Sequence, residues 1–154
     1  MYIVIMNSDD LYSVIWMSRP LMQAAEALVE KSLTGTGLTV RTRAVLEMVL
    51  QHGQLSVPDI AHHLSIKRQY VQVMINETLV EGLTCKVANP RHKSSPLIAL
   101  TEKGRRLTEK VMAQEKSIIA ELAADFDARD ISVTLEVTSA LARKLKMLAE
   151  DGGS

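Results

Sequence analysis

The stretch from Gln54 to Leu100, QLSVPDIAHHLSIKRQYVQVMINETLVEGLTCKVANPRHKSSPLIAL, constrains the fold more than any other part of the chain. Ser56-Val57-Pro58-Asp59 has the form of a capping box, with an acid three residues after the serine and a proline that a first helical turn tolerates. It starts a short helix over 57–63 that carries Ile60 and Leu64 inward. A tight turn near Leu64–Ile66 leads to a helix over 67–81, in which Val71, Ile75 and Leu79 recur every four residues with Met74 beside them. Gly82 suits the end of that helix, because glycine accepts positive φ. Residues 83–87 (LTCKV) and 97–100 (LIAL) then read as two strands, and Asn89-Pro90 and Ser94-Ser95-Pro96 punctuate the tip between them. Helix, turn, helix and hairpin in this order describe a winged helix-turn-helix.

The flanks are helical. Thr39 caps a helix over 40–52, stopped by Gly53, with Val40, Ala44, Val45, Met48 and Val49 at helical spacing. Ser8 or Asp9 caps a first helix over 9–34, ended by Gly35-Thr36-Gly37; Pro20 either kinks it, the preferred reading, or divides it into a helix ending near Arg19 and a second starting at Pro20. Thr101 opens a long helix to about 125, residues 126–131 break it, and Ser132 caps a last helix to about 149. Asp151–Ser154 reads as a frayed tail. The fold class is therefore mainly α, a winged helix-turn-helix of order α-α-α-α-β-β-α-α, in a single domain over 1–154. Residues 39–100 form the winged lobe. Residues 9–34 and 101–149 carry more apolar surface than that lobe can cover, and an apolar helix stripe must be buried somewhere. The expected partner is the same region of a second copy, in a two-fold homodimer; an intramolecular bundle of the terminal helices is the alternative.

Composition supports this organisation. The 154 residues suit one compact domain, and 47% apolar content argues against disorder. Aromatics are 3%, and a core built instead of Leu, Met, Ala and Val favours packed helices over a sandwich. The net charge is zero, yet residues 39–100 hold seven Lys/Arg against four Asp/Glu, whereas 1–38 hold two against four and 101–154 nine against ten. Positive charge thus gathers in the lobe, and local charge decides where a polyanion docks. One cysteine, Cys85, excludes an internal disulfide and suits a reducing cytoplasm. MYIVIM is too short for a signal sequence, and no run approaches the roughly 20 apolar residues that span a bilayer. A soluble cytoplasmic protein without a membrane partner is expected.

On the 67–81 helix each residue advances about 100°. With Val71, Ile75 and Leu79 inward, Arg68, Gln69 and Gln72 fall toward solvent or a groove, and Lys67 and Tyr70 sit beside them in the first turn. Arg pairs with guanine N7 and O6, Gln with adenine, and Tyr bonds phosphate or packs on sugar. An ordinary solvated face has the same composition; the capped helix before and the hairpin after favour double-stranded DNA. The tip Asn89–Ser95 carries Arg91, His92 and Lys93 and no carboxylate, which suits the minor groove or flanking phosphates. Arg41 and Arg43 are further candidate contacts, placed where cations oppose the helix dipole.

The run Gly37-Leu38-Thr39, Ala44-Val45-Leu46, Ile60-Ala61 with Leu64, Glu81-Gly82-Leu83 and Leu100-Thr101-Glu102-Lys103-Gly104 resembles the MarR (multiple antibiotic resistance regulator) family of bacterial transcription factors, from about Leu11 to Leu148. The resemblance implies a homodimer whose terminal helices form the interface and whose winged modules read a palindromic site. It also implies that a small molecule, often an anionic aromatic, binds between the dimer core and the DNA lobe. Many relatives carry an Asp followed by Arg-Arg in the wing, where this chain has Asn89-Pro90-Arg91-His92-Lys93. Arg91 is the candidate wing-tip arginine, Lys93 the second, and the usual intrawing salt bridge loses its acid.

Other chemistry is poorly represented. His62 and His63 are adjacent and point apart, His52 and His92 are distant in sequence, and no HxxxH pair or cysteine cluster suggests a metal. Cys85 reads as a quiet structural thiol. No phosphate-cradling loop, nucleophile elbow or carboxylate pair appears, so neither an enzyme nor a cofactor is expected. Tyr12 and Trp16 are effector-binding candidates on the first helix, with packing in the dimer interface the preferred reading. The sequence favours a dimeric, sequence-specific transcriptional regulator, a repressor rather than an activator, over a winged helix used only for protein interaction.

Overall fold

The computed structural model describes residues 2–151, with side chains for 7–150. Six helices and three short strands follow in order: α1 (Tyr2–Leu33), α2 (Val40–His52), β1 (Leu55–Ser56), α3 (Val57–Leu64), α4 (Arg68–Val80), β2 (Thr84–Val87), β3 (Leu97–Leu100), α5 (Glu102–Ala123) and α6 (Ala128–Asp151). The chain divides into one compact unit up to Gln114 and a second from Glu115 onward.

Local chemistry fixes the helix ends of the first unit. The Thr39 hydroxyl accepts from the Thr42 amide, and the Thr42 side chain accepts from the Thr39 amide, a reciprocal cap that starts α2. Gly53, at φ 80°, ends it and returns its amide to the Val49 carbonyl. Ser56 and Asp59 form the same reciprocal box at α3. Ser65 closes α3 in the left-handed region, at φ 54°. Thr101 starts α5: its hydroxyl accepts from the Gly104 amide and donates to the Gly82 carbonyl.

The antiparallel sheet has the order β1-β3-β2. Leu55 pairs with Ile98 and Ser56 with Leu97, while Thr84 faces Leu100 and Val87 faces Leu97. One core cluster joins Val45, Val49, Ile60, Ala61, Val71, Met74, Ile75 and Ile98, so α2, α3, α4 and β3 close on one another. A second cluster joins Leu33, Leu38, Leu46, Leu83 and Val111, tying the end of α1 and the middle of α5 to the lobe. Leu100 borders both. Thr78 is buried on the inward side of α4, where its hydroxyl meets that of Thr84 at 2.8 Å.

Three element boundaries differ from expectation. The first helix begins at Tyr2, so Ser8 and Asp9 lie within it, and it runs on through Pro20. The Ser13 hydroxyl bonds the Asp9 carbonyl one turn back, as interior serines do. The last helix begins at Ala128, so Ser132 is interior; Asp127 is the cap, its carboxylate accepting from the Arg129 amide. Strand β1 was not anticipated. The tail expected from Asp151 falls, apart from its first residue, outside the described residues.

In the second unit α6 exposes Ile131, Val133, Leu135, Val137, Leu145, Met147 and Leu148. In the first, α1 exposes Leu11, Tyr12, Val14, Trp16, Met17, Leu21, Met22 and Leu28. Among the described residues no helix is long and apolar enough to cross a membrane.

Candidate nucleic-acid interface

Helix α4 turns Val71, Met74, Ile75 and Thr78 into the core and leaves Lys67, Arg68, Gln69, Tyr70 and Gln72 exposed. The five residues expected to meet DNA therefore do face outward. Lys67 stands at the N-cap, makes no side-chain cap bond, and no acid occupies the first turn. Unspent amides, the positive end of the helix dipole and two cations coincide there, which attracts a phosphate. One turn on, the Gln72 amide donates to Asn76 Oδ1 at 2.9 Å, which fixes the orientation of Gln72.

The wing brings its cations to the same place. Asn89 donates to the Ser95 carbonyl (2.8 Å) and accepts from the Arg91 amide (3.0 Å), so it orders the tip by hydrogen bonds. Arg91, His92 and Lys93 are exposed. Arg68, Arg91 and His92 line one cleft of about 850 Å³, with Ser56, Pro58 and Asp59 at the start of α3. The acid in this cleft is occupied: the Ser56 hydroxyl donates to Asp59 Oδ2 at 2.6 Å. That bond, aided by the Ser56 amide and the nearby His63 and His62, outweighs burial and holds the Asp59 carboxyl below its usual value.

Other candidates fall outside this cleft. Arg41 is exposed in the first turn of α2; Arg43 is half-buried and ion-paired with Glu47. Tyr12 and Trp16 lie with ring centroids 6.1 Å apart on the exposed face of α1. Cys85 is a free, exposed thiol on β2, so it is not a packed structural residue. Sequence spacing missed one association: the turn at Gly53 folds the end of α2 onto α3 and stacks His52 on His63, centroids 4.3 Å apart. Among the described residues no group of three or more His, Cys, Asp or Glu is arranged for a metal.

A helix-turn-helix with a three-stranded wing, its second helix presenting a basic, uncapped first turn, defines a winged-helix protein of the transcription-regulator class. No family model matches the chain. An uncharacterised protein of Mycobacterium tuberculosis is 34% identical over 94 residues, 61% of this chain and 66% of that protein, so the match spans just under two thirds of the relative. The HTH-type transcriptional repressor MdtR of Bacillus subtilis is 25% identical over 138 residues, 89% of each chain. The crystal structure of a MarR family transcription regulator superposes with a TM-score of 0.88 at 29% identity, covering 94% of this chain and 95% of that one. The chain is thus similar in fold and sequence to MarR family winged helix-turn-helix transcriptional regulators.

Proposed function

We propose that the chain is a sequence-specific DNA-binding regulator that acts as a homodimer, represses transcription and reads a palindromic operator. The observation that carries this is the convergence of Arg68 from α4 with Arg91 and His92 from the wing on one cleft. Arg68, Gln69 and Gln72 enter the major groove and read base edges, with Lys67 and Tyr70 on the backbone beside them. The wing tip, with Lys93, lies along the adjacent minor groove or its phosphates, and Arg41 adds a backbone contact. Arg43, held by Glu47, reaches a phosphate only if that pair opens.

Homodimerisation is supported by the apolar residues that α1 and α6 each leave uncovered. Tyr12 and Trp16 belong to that interface, beside which a small aromatic or anionic effector would bind. Trp16 is the single tryptophan, so its emission reports both events. The neighbouring proteins are regulators rather than enzymes, and this reading assigns the chain no catalysis and no cofactor.

Gel shifts on duplexes selected from a random pool, against random duplexes, test the reading. Arg68→Ala is expected to lose about 1–3 kcal/mol of discrimination at one base pair. An Arg68→Ala protein with unchanged affinity and preference refutes the assignment. If the native chain binds no duplex at moderate salt, a protein-interaction role takes its place.

A further inference from the structure

Helix α4 has a third face, turned neither to the core nor to the groove. Val73, Asn76, Glu77 and Val80 lie along it, with Val73 52% and Val80 85% exposed. This face walls a cavity of about 520 Å³, closed on the other side by the start of α2 and by buried Leu38, Thr42 and Leu83. That volume lies in the range of small-molecule sites, about 300–1,000 Å³.

The charge around it is one-sided. The lobe over 39–100 has four carboxylates. Glu47 pairs with Arg43, and Asp59 is held by Ser56. The other two, Glu77 and Glu81, have no ion-pair partner among the described residues, and both line this cavity. Glu77 lies in the last turn of α4 and Glu81 is its C-cap, a like-charge i, i+4 spacing that disfavours the helix end until a cation relieves it. No Lys or Arg lines the cavity. The Lys103 ammonium donates to the Glu81 carbonyl rather than to its carboxylate.

We propose that this cavity is a binding site for a lipophilic organic cation, held by apolar contact with Leu38, Val73, Val80 and Leu83 and by the carboxylates of Glu77 and Glu81. The chemistry is opposite to the anionic aromatic effector that the family resemblance implies. Asn76 lines the same cavity while accepting from Gln72 on the groove side. A cation that engages Asn76 therefore disturbs a base-reading side chain and weakens DNA binding. That coupling rests on the DNA-binding reading; the cation site does not.

The test uses two probes of one shape and opposite charge, tetraphenylphosphonium and tetraphenylborate, titrated into the full chain without DNA. Expected is saturable binding of tetraphenylphosphonium, one per chain, with methyl NMR shifts at Leu38, Val73, Val80 and Leu83. In Glu77→Gln/Glu81→Gln it weakens about tenfold or more, the effect of losing two partly exposed charge contacts. Val80→Lys, at a position exposed enough to leave folding intact, supplies the chain's own cation and blocks the probe. Absence of saturable binding, equal affinity in the double Gln variant, methyl shifts elsewhere, or equal binding of tetraphenylborate at these methyls overturns the proposal. In a second arm, tetraphenylphosphonium should lower duplex affinity for the native chain and not for the double variant. If the cation binds but duplex affinity is unchanged, the coupling through Asn76 is wrong and the site stands.

Discussion

Gly104 offers a substitution whose sign local propensity gets wrong. It lies in the first turn of α5, where alanine is ordinarily favoured over glycine by about 1 kcal/mol. A Cβ there would stand 1.9 Å from the Leu83 carbonyl oxygen and 2.8 Å from its carbon, both backbone atoms that no rotamer change can clear. Ordinary contact requires the start of α5 to retreat from Leu83 by more than 1 Å. Several bonds cross this junction: the Thr101 amide to the Leu83 carbonyl (3.0 Å), the Thr101 hydroxyl to the Gly82 carbonyl (2.7 Å) and the Lys103 ammonium to the Glu81 carbonyl (2.7 Å). Overpacking costs about 1–3 kcal/mol, and straining two or three such bonds adds about 1–2 more. Set against the helix gain, Gly104→Ala should destabilise the chain by about 1–4 kcal/mol. With a urea dependence of about 1–3 kcal/mol per molar, a mid-range loss lowers the unfolding midpoint by about 1 M, compared at equal protein concentration because assembly shifts it too. A variant as stable as the native chain, or more so, refutes the close approach of α5 to Leu83.

Thr78→Val should cost about 1–3 kcal/mol in denaturant titration, because it strands the buried Thr84 hydroxyl, and Thr78→Val/Thr84→Val should recover part of that loss. Asp59→Asn should lower stability at neutral pH by about 1 kcal/mol through the weakened cap. The folded Asp59 pKa is depressed, so its contribution is present above the unfolded value near 3.8 and is lost as pH falls through the folded value; native and variant melting curves should converge below pH 3.8. Arg91→Ala/Lys93→Ala should weaken binding evenly across duplex sequences and lower the salt slope by about 2, read from binding isotherms at several salt concentrations. Cys85, exposed on β2, should react fully with a thiol reagent in the folded protein without a change in melting temperature.

Elements with reciprocal caps were legible in sequence, whereas the starts of α1 and α6 and the strand β1 were not. Thr39 with Gly53, and Ser56 with Asp59, bound α2 and α3 to within a residue, because each cap satisfies amides that only one helix start exposes. The start of α6 was misplaced because Asp125, Asp127, Asp130 and Ser132 are all chemically able to cap, and the sequence does not say which of them the chain leaves in the extended conformation. Strand β1 has two residues, too few for any periodicity, and exists because β3 offers its edge to Leu55 and Ser56. Thr78 looks polar in sequence, yet it is buried because Thr84 across the Gly82 turn completes its hydrogen bonding. The outward row on α4 was readable because its apolar complement, Val71, Met74 and Ile75, is strictly helical in spacing. The stacking of His52 on His63 and the cavity behind α4 were not, since each joins residues from different helices.

The central claim is that paired copies set two α4 helices into consecutive major grooves. Hydroxyl-radical footprinting of the chain on a duplex selected from a random pool tests it most directly. Two protected tracts related by a two-fold axis and centred about 10 base pairs apart are predicted. A single tract, or uniform cleavage under conditions where the duplex is fully bound, contradicts it.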